Sequence, residues 1–347
     1  MFWDGYRRVG DRSVARSHAH STHAPQRWTA GIIVTALTIA LALSTVVTAG
    51  DASARHRRQV DPAGGSHHVG GAVATPTATP SPTPTPTVSA QKIAQFGNWG
   101  TPAQFLALMK DMSIDVIEMA AGTYFGWHLF FDVDRTARPL TVRPAAGATV
   151  IFDDSGGETS DGLFYPGWSS YTSNITFQGP FQVTNYVIGQ TGLVSTAWVA
   201  NLTFNRFVVK GTTAPTTNGQ TAWAVYVSSD GTHRGSNLTF NDWNVDNSQS
   251  GHKVSGLQIY HTPQAVGISA LRWTVTGGFW GIVGRGDATA VVIDGWTIGN
   301  TVYPFDSDSG ESGRGPAGTV SNMTSTGSAN APIITSPMVD GGGNSWN

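Results

Sequence analysis

"NLTFNRFVV" at residues 201–209 and "NLTFNDWNV" at 237–245 share their first five residues and keep apolar side chains at the same later places. In the second copy these are Leu238, Phe240, Trp243 and Val245. Within each pair the apolar residues alternate with a period of two, the period of a β-strand. The polar residues Asn241 and Asp242 shift the phase, which reads as a bend between two short strands. Related segments are "NITFQGPFQV" at 174–183, "ALRWTV" at 270–275, "AVVIDGWTI" at 290–298 and "NMTSTG" at 322–327, all read in the same phase.

Upstream of these copies lies a second recurring segment: "DGLFY" at 161–165, "TGLVS" at 191–195, "AVYVSS" at 224–229, "GLQIYH" at 256–261 and "GIVGRG" at 281–286. Their leading apolar residues, Leu163, Leu193, Val225, Leu257 and Ile282, are expected to form one aligned file, at steps of 30, 32, 32 and 25 residues. One unit therefore holds three short strands and recurs about every thirty residues, the signature of a solenoid whose laps bury a shared core. Three strands per lap predicts an all-β parallel β-helix. A propeller blade needs four strands and a longer period; an antiparallel sandwich is the other alternative.

Asn174, Asn201, Asn237 and Asn322 recur in phase with the strands and also stand in N-x-T sequons. One reading makes them corner residues, because Asn tolerates left-handed backbone and bonds to nearby backbone. The other makes them glycosylation acceptors.

Composition agrees with a turn-rich β-fold: charged residues are 12% of the 347, about half the usual quarter, and glycines number 42. The formal net charge of −2 and the lack of a basic stripe exclude nucleic acid as the expected partner. The absence of cysteine excludes disulfides, thiolate metal sites and a cysteine nucleophile. A monomer is expected.

The chain divides into zones. Residues 1–27 are polar and Arg-bearing, with no hydrophobic period, and read as a disordered cytoplasmic tail. Residues 28–48, "WTAGIIVTALTIALALSTVVT", carry no charge and are long enough as a helix to cross a hydrocarbon core of roughly 30 Å. They read as a transmembrane helix or uncleaved signal anchor with Trp28 at the interface. The small residues "ASA" at 52–54 offer the alternative of a cleaved signal and a secreted protein. Residues 49–91 include "TPTATPSPTPTPT", where alternating proline forbids helix and central strand and favours an extended stalk. A stalk beside a membrane helix holds residues 92–347 away from the cell surface, so the localisation expected is the cell membrane with the C-terminal domain extracellular. "TPAQFLALMKDM" at 101–112 predicts a capping helix, with Thr101 as N-cap, Pro102 in the first turn and an apolar stripe of Phe105, Leu106, Met109 and Met112.

After that helix comes "IDVIEMAAGTYFGWHLFFDVDRTARPLTVRPAAGATVIFD" at 114–153. This run, an apolar strand, a Gly-Thr-Tyr turn and a strand ending in "GATVIFD", resembles the opening of right-handed parallel β-helix proteins of the pectate-lyase-like superfamily. The resemblance spans roughly residues 92–347 and implies a right-handed β-helix that acts on or binds a polysaccharide, as a lyase or glycoside hydrolase if it is an enzyme. It implies no one chemistry, because the superfamily includes lyases, glycosidases, esterases and non-catalytic domains. The Asp cluster and Arg-x-Lys of polygalacturonase-like members are not matched, and Asp153–Asp154 stands too early. No set matches the calcium-binding Asp cluster and Arg base of pectate-lyase-like members.

Geometry then nominates candidates. With Val225, Leu257 and Ile282 inward, Tyr226, Gln258 and Val283 face out, followed by Ser228, Tyr260 and Arg285, and then by Asp230, Thr262 and Asp287. Laps lie about 4.8 Å apart, so Arg285, Asp287, Asp230 and Tyr260 form the candidate catalytic group, with Tyr226, Gln258, His261 and His233 as candidate substrate-binding residues. An Arg beside a carboxylate and a Tyr suits a uronate, or proton abstraction next to a carboxylate; the plainer reading is a solvated strand end with a surface ion pair. Asp306, Asp308 and Glu311 in "DSDSGES" offer oxygen ligands to Ca²⁺, against the plainer reading of a solvated acidic loop. Among the tryptophans, Trp243, Trp273 and Trp296 fall in phase with the core, whereas Trp127, Trp168, Trp198 and Trp223 are open between core packing and sugar stacking. Non-catalytic adhesion or a structural module is the alternative function.

Overall fold

The computed structural model describes residues 90–153, 162–186, 192–211, 222–228, 233, 235–248, 254–260, 265–307 and 315–347. The tail 1–27, the apolar segment 28–48 and all of the linker before Ala90 lie outside the described residues, as do Asp230, His261, Asp308 and Glu311. Among the described residues no helix is long and apolar enough to cross a membrane.

The described strands pair in parallel and pile into three columns. The first runs from Ile93–Phe96 through Val116–Met119, Leu140–Pro144, Ser236–Asn241, Val266–Leu271 and Thr289–Asp294 to Gly318–Ser321 and Met338–Asp340. The second runs from Gly122–Phe125 and Val150–Asp153 through Asn244–Asp246, Thr274–Thr276 and Thr297–Gly299 to Thr324–Thr326 and Ser345–Trp346. Strands Thr172–Tyr186 and Val199–Gly211 turn the corner without a break and contribute to both columns, fusing them into one seventeen-stranded sheet. The third column is a separate sheet of seven: Leu129–Phe131, Phe164–Pro166, Gly192–Thr196, Ala222–Val227, Val254–Tyr260, Trp280–Arg285 and Tyr303–Asp306. This is a parallel β-solenoid with three strands per lap.

The two NLTFN copies are register partners on neighbouring laps: Leu202 pairs with Leu238, Phe204 with Phe240, and Val209 with Val245. Where the chain enters the first column, Asn174, Asn201 and Asn237 each adopt φ of 53°. L-residues disfavour that left-handed region, and Asn tolerates it best. The amides also bond to one another up the stack: Asn201 Nδ2 donates to Asn174 Oδ1 at 2.8 Å, and Asn237 Nδ2 to Asn201 Oδ1 at 2.9 Å. Asn322 belongs elsewhere. It sits at the corner between the first and second columns, in line with Arg206, Asp242, Arg272 and Gly295, all with positive φ. Reading "NMTSTG" in the NLTFN phase therefore places it one corner too early. Both corners demand a left-handed residue, so an Asn alone does not distinguish them.

Inside that second corner the core is a stack of rings. Phe207 and Trp243 lie 4.7 Å apart, Trp243 and Trp273 4.9 Å, and Trp273 and Trp296 4.5 Å. The indole N–H of Trp243, Trp273 and Trp296 donates to a carbonyl of the preceding lap, that of Phe204, Phe240 and Ala270 respectively, at 2.7–2.8 Å. A polar edge that is costly to bury unpaired thus becomes a link between laps.

One helix, Pro102–Lys110, is present among the described residues, capped by Thr101 and Gln104 in a reciprocal capping box. Its Phe105 and Met109 are buried, with the Phe105 ring 5.0 Å from Phe96 and 5.4 Å from Trp127. Met112 stands beyond the C-cap Asp111 and is exposed, so the apolar stripe ends one turn earlier than the sequence suggests.

The expected file of leading apolar residues needs one correction. Val225, Leu257 and Ile282 are register partners, but their partners on the earlier laps are Val194 and Phe164, not Leu193 and Leu163. Leu163 and Leu193 align with Ala224, Gly256 and Gly281 in the adjacent file. Both files enter the core, so alternation offers no way to choose between neighbouring apolar residues.

Candidate functional site

The third column departs from simple alternation, and the departure builds its outer face. Val225, Leu257, Ile282 and Phe305 point into the core. One residue earlier, Ala224 also lies in the core. A Cβ on Gly256 would come 3.2 Å from Val275 Cγ2, and one on Gly281 2.8 Å from Ile298 Cδ1, both core side chains. Two consecutive positions thus face inward, and the phase resets between them. The residues just before, Trp223, Ser255, Trp280 and Tyr303, then fall on the outer side together with Tyr226, Gln258, Val283 and Asp306.

Those outer residues touch. The Trp223 and Trp280 rings lie near-parallel at 5.5 Å with Ser255 on the strand between them, and Trp280 and Tyr303 lie at 6.4 Å. Ser255 Oγ accepts from the Trp280 backbone N–H at 3.1 Å and so holds the middle of the row. Arg285, at the far end of the same strand, lays its guanidinium carbon 5.2 Å from the Trp280 ring centroid. A guanidinium over an indole face is attracted by the ring quadrupole, which fixes where this cation sits on the outer side. The Trp280 indole N–H is buried with no hydrogen-bond partner among the described residues.

The sequence-derived candidates distribute as follows. Tyr226 and Gln258 are register partners on the outer face, and Tyr260 and Arg285 are partners at its far end. The Tyr226 and Tyr260 rings are 5.8 Å apart. Asp306 pairs with Val283, one lap beyond Gln258. Asp287 follows two residues after Arg285, partly buried at the turn that leaves the column. His233 lies elsewhere, stacked on Trp198 at 3.8 Å in the connection from the third column to the first. Asp230, His261, Asp308 and Glu311 lie outside the described residues. Among the described residues no group of three or more His, Cys, Asp or Glu side chains gathers to hold a metal ion.

Sequence reasoning missed Trp280 and Tyr303, and left Trp223 undecided. Strict alternation counted back from Ile282 turns position 280 inward. The available signal was the small-residue file Ala224, Gly256 and Gly281, where strands approach the core too closely for a larger side chain.

On this face Trp223, Ser255, Gln258 and Val283 are buried, whereas Trp280, Tyr303, Tyr226, Tyr260 and Arg285 are partly exposed, so its accessible part offers rings, a guanidinium and phenol hydroxyls. Such a surface can stack against the C–H face of a pyranose and clamp a carboxylate.

No protein-family model matches the chain, and no curated protein matches it. Among solved structures, the chain is similar to one described as the crystal structure of pectate lyase Pel9A, at 14% identity and a TM-score of 0.42, with 75% of this chain and 81% of that one covered.

Proposed function

We propose that the outer face of the third column binds an acidic polysaccharide outside the cell, and that residues 28–48 hold the chain at the membrane. The observation that carries the binding reading is Arg285 laid on the partly exposed Trp280, with the partly exposed Tyr303 beyond it and the buried Trp223 behind it. A cation for the carboxylate and rings for the sugar faces are the two elements uronate recognition needs, and here they are adjacent. Turnover is the second reading. It is favoured by the pairing of Tyr260 with Arg285 one file from Asp306, because a phenol, a cation and a carboxylate on one face suit proton abstraction next to a carboxylate.

The test is electrophoresis of the full-length chain in detergent through gels containing polygalacturonate. Arg285→Ala should weaken retardation by about tenfold, roughly 1.4 kcal/mol, and Arg285→Lys should recover only part of it. Wild-type mobility in Arg285→Ala would remove the reading. Unsaturated product measured with and without Ca²⁺ separates turnover from binding. Protease added to intact cells should release the β-solenoid; full protection would contradict the extracellular placement.

A further inference from the structure

A second set of rings runs beside this face without using Arg285. Phe130, on the outer side of the first strand of the third column, stacks on its register partner Tyr165 at 4.6 Å and 15°. Tyr165 meets Trp168 edge-on at 5.9 Å, in the connection that leads to the first column. In the same connection Tyr171 meets Trp198 of the next lap at 5.6 Å, and Trp198 carries His233 of the lap after that at 3.8 Å and 14°. The backbone binds these connections together, with Trp198 N–H donating to the Gly167 carbonyl at 3.0 Å. The rings therefore climb the solenoid lap by lap, at the interlap spacing of about 4.8 Å.

The exposed members are Trp168, at 60%, and Phe130, at 43%, while Tyr165 is buried beneath them as support. Solitary exposed rings are common, but here two ring sets, Phe130–Tyr165–Trp168 and Tyr171–Trp198–His233, lie on connections of neighbouring laps that the backbone pairs side by side. The charge beside them differs from that of the Arg285 end. Asp132, two residues beyond Phe130, accepts from the Ser169 N–H at 3.1 Å, whereas the nearby Arg135 is buried and turned away toward backbone carbonyls. A carboxylate beside apolar rings repels an anionic polymer and accepts hydrogen bonds from hydroxyls.

We infer that the strip Phe130–Trp168–Trp198 is a binding site for a neutral glycan chain, distinct from the acidic-sugar site at Arg285. Pyranoses present C–H faces to the exposed Phe130 and Trp168 rings, the partly buried Trp198 with His233 stacked on it extends the apolar wall beside them, and hydroxyls donate to Asp132. This rests on the reading that the solenoid binds polysaccharide, and it assigns a different sugar class to a different surface.

Full-length chain is run through gels containing hydroxyethylcellulose, xylan or galactomannan, and in parallel through polygalacturonate. Retardation by at least one neutral polymer is expected. Trp168→Ala and Trp198→Ala should each reduce it about fivefold or more, while Arg285→Ala and added salt leave it unchanged. Trp168 is exposed, so its variant keeps the fold even where Trp198→Ala does not. No retardation of the wild type by any neutral polymer, or undiminished retardation of Trp168→Ala, overturns the inference. If polygalacturonate binding still depends on Arg285 in that case, only the strip falls.

Discussion

Arg135 is fully buried, and its guanidinium is held by backbone oxygens rather than by a carboxylate. It donates to the carbonyls of Met109, Asp111, Ile114 and Arg138, which ties the end of the capping helix to the first lap. Burial lowers its pKa from the ordinary arginine value, and this cationic hub replaces the water those carbonyls would otherwise bind. Arg135→Met should lower unfolding stability by about 3 kcal/mol or more in urea titration, because several buried acceptors lose their donor together. Arg135→Lys should restore little of this, since a single ammonium cannot span the fork. At the surface, Asp115 accepts from Arg138 Nε at 2.5 Å and Nη2 at 2.8 Å, and from the Lys92 backbone N–H, which holds its pKa down to about 2. Asp111, Glu118, Asp134, Asp242, Asp246 and Asp294 are lowered as well, each by hydrogen bonds to its own neighbours. A carboxylate with a depressed folded pKa contributes stability above its unfolded value, near 3.9 for Asp, and loses it as pH falls toward the folded value. The melting temperature should therefore be flat from neutral pH to about pH 5 and fall between about pH 4 and 2, with a smaller fall in Asp115→Asn. A fall that begins near pH 6 would implicate histidine instead.

At the scale of the strand, much of the fold was legible because the first column alternates cleanly. Leu202, Phe204, Leu238 and Phe240 declare both the strand and its neighbour, and the Asn before each pair marks the left-handed step. The third column was legible only in part. At 163–164 and 193–194 two adjacent apolar residues both enter the core, and a period-two reading must favour one of them. The same double inward step at 224–225, 256–257 and 281–282 hid Trp280 and Tyr303, because it depends on how far the strand bends into the core. That bend has a testable cost. A Cβ on Gly256 would lie 2.3 Å from the Gly281 carbonyl oxygen, whereas one on Gly299 would meet nothing closer than 4.0 Å. Gly256→Ala should destabilise by about 1–3 kcal/mol and Gly299→Ala by much less, as thermal or urea melts will show. Equal effects would mean that the third column is not packed this closely.

For the molecule as a whole, laps whose strands pair only with those of their neighbours make stability largely a sum of interfaces, and they make surface position predictable from register. The functional reading inherits that register: Arg285, Tyr260, Tyr226 and Trp280 share a face only if consecutive laps pair as described. The natural chain has no cysteine, so two introduced cysteines report register without interference. Tyr226 and Gln258 are parallel partners on the outer face, at an interlap spacing that falls within the Cα separation a disulfide accepts. Tyr226→Cys combined with Gln258→Cys should form an intramolecular disulfide on mild oxidation, seen as a mass loss of about two daltons and a linked peptide, whereas Tyr226→Cys with Leu257→Cys should stay reduced. A disulfide in the second pair and none in the first would contradict the register, and with it the outer face on which sugar recognition is proposed.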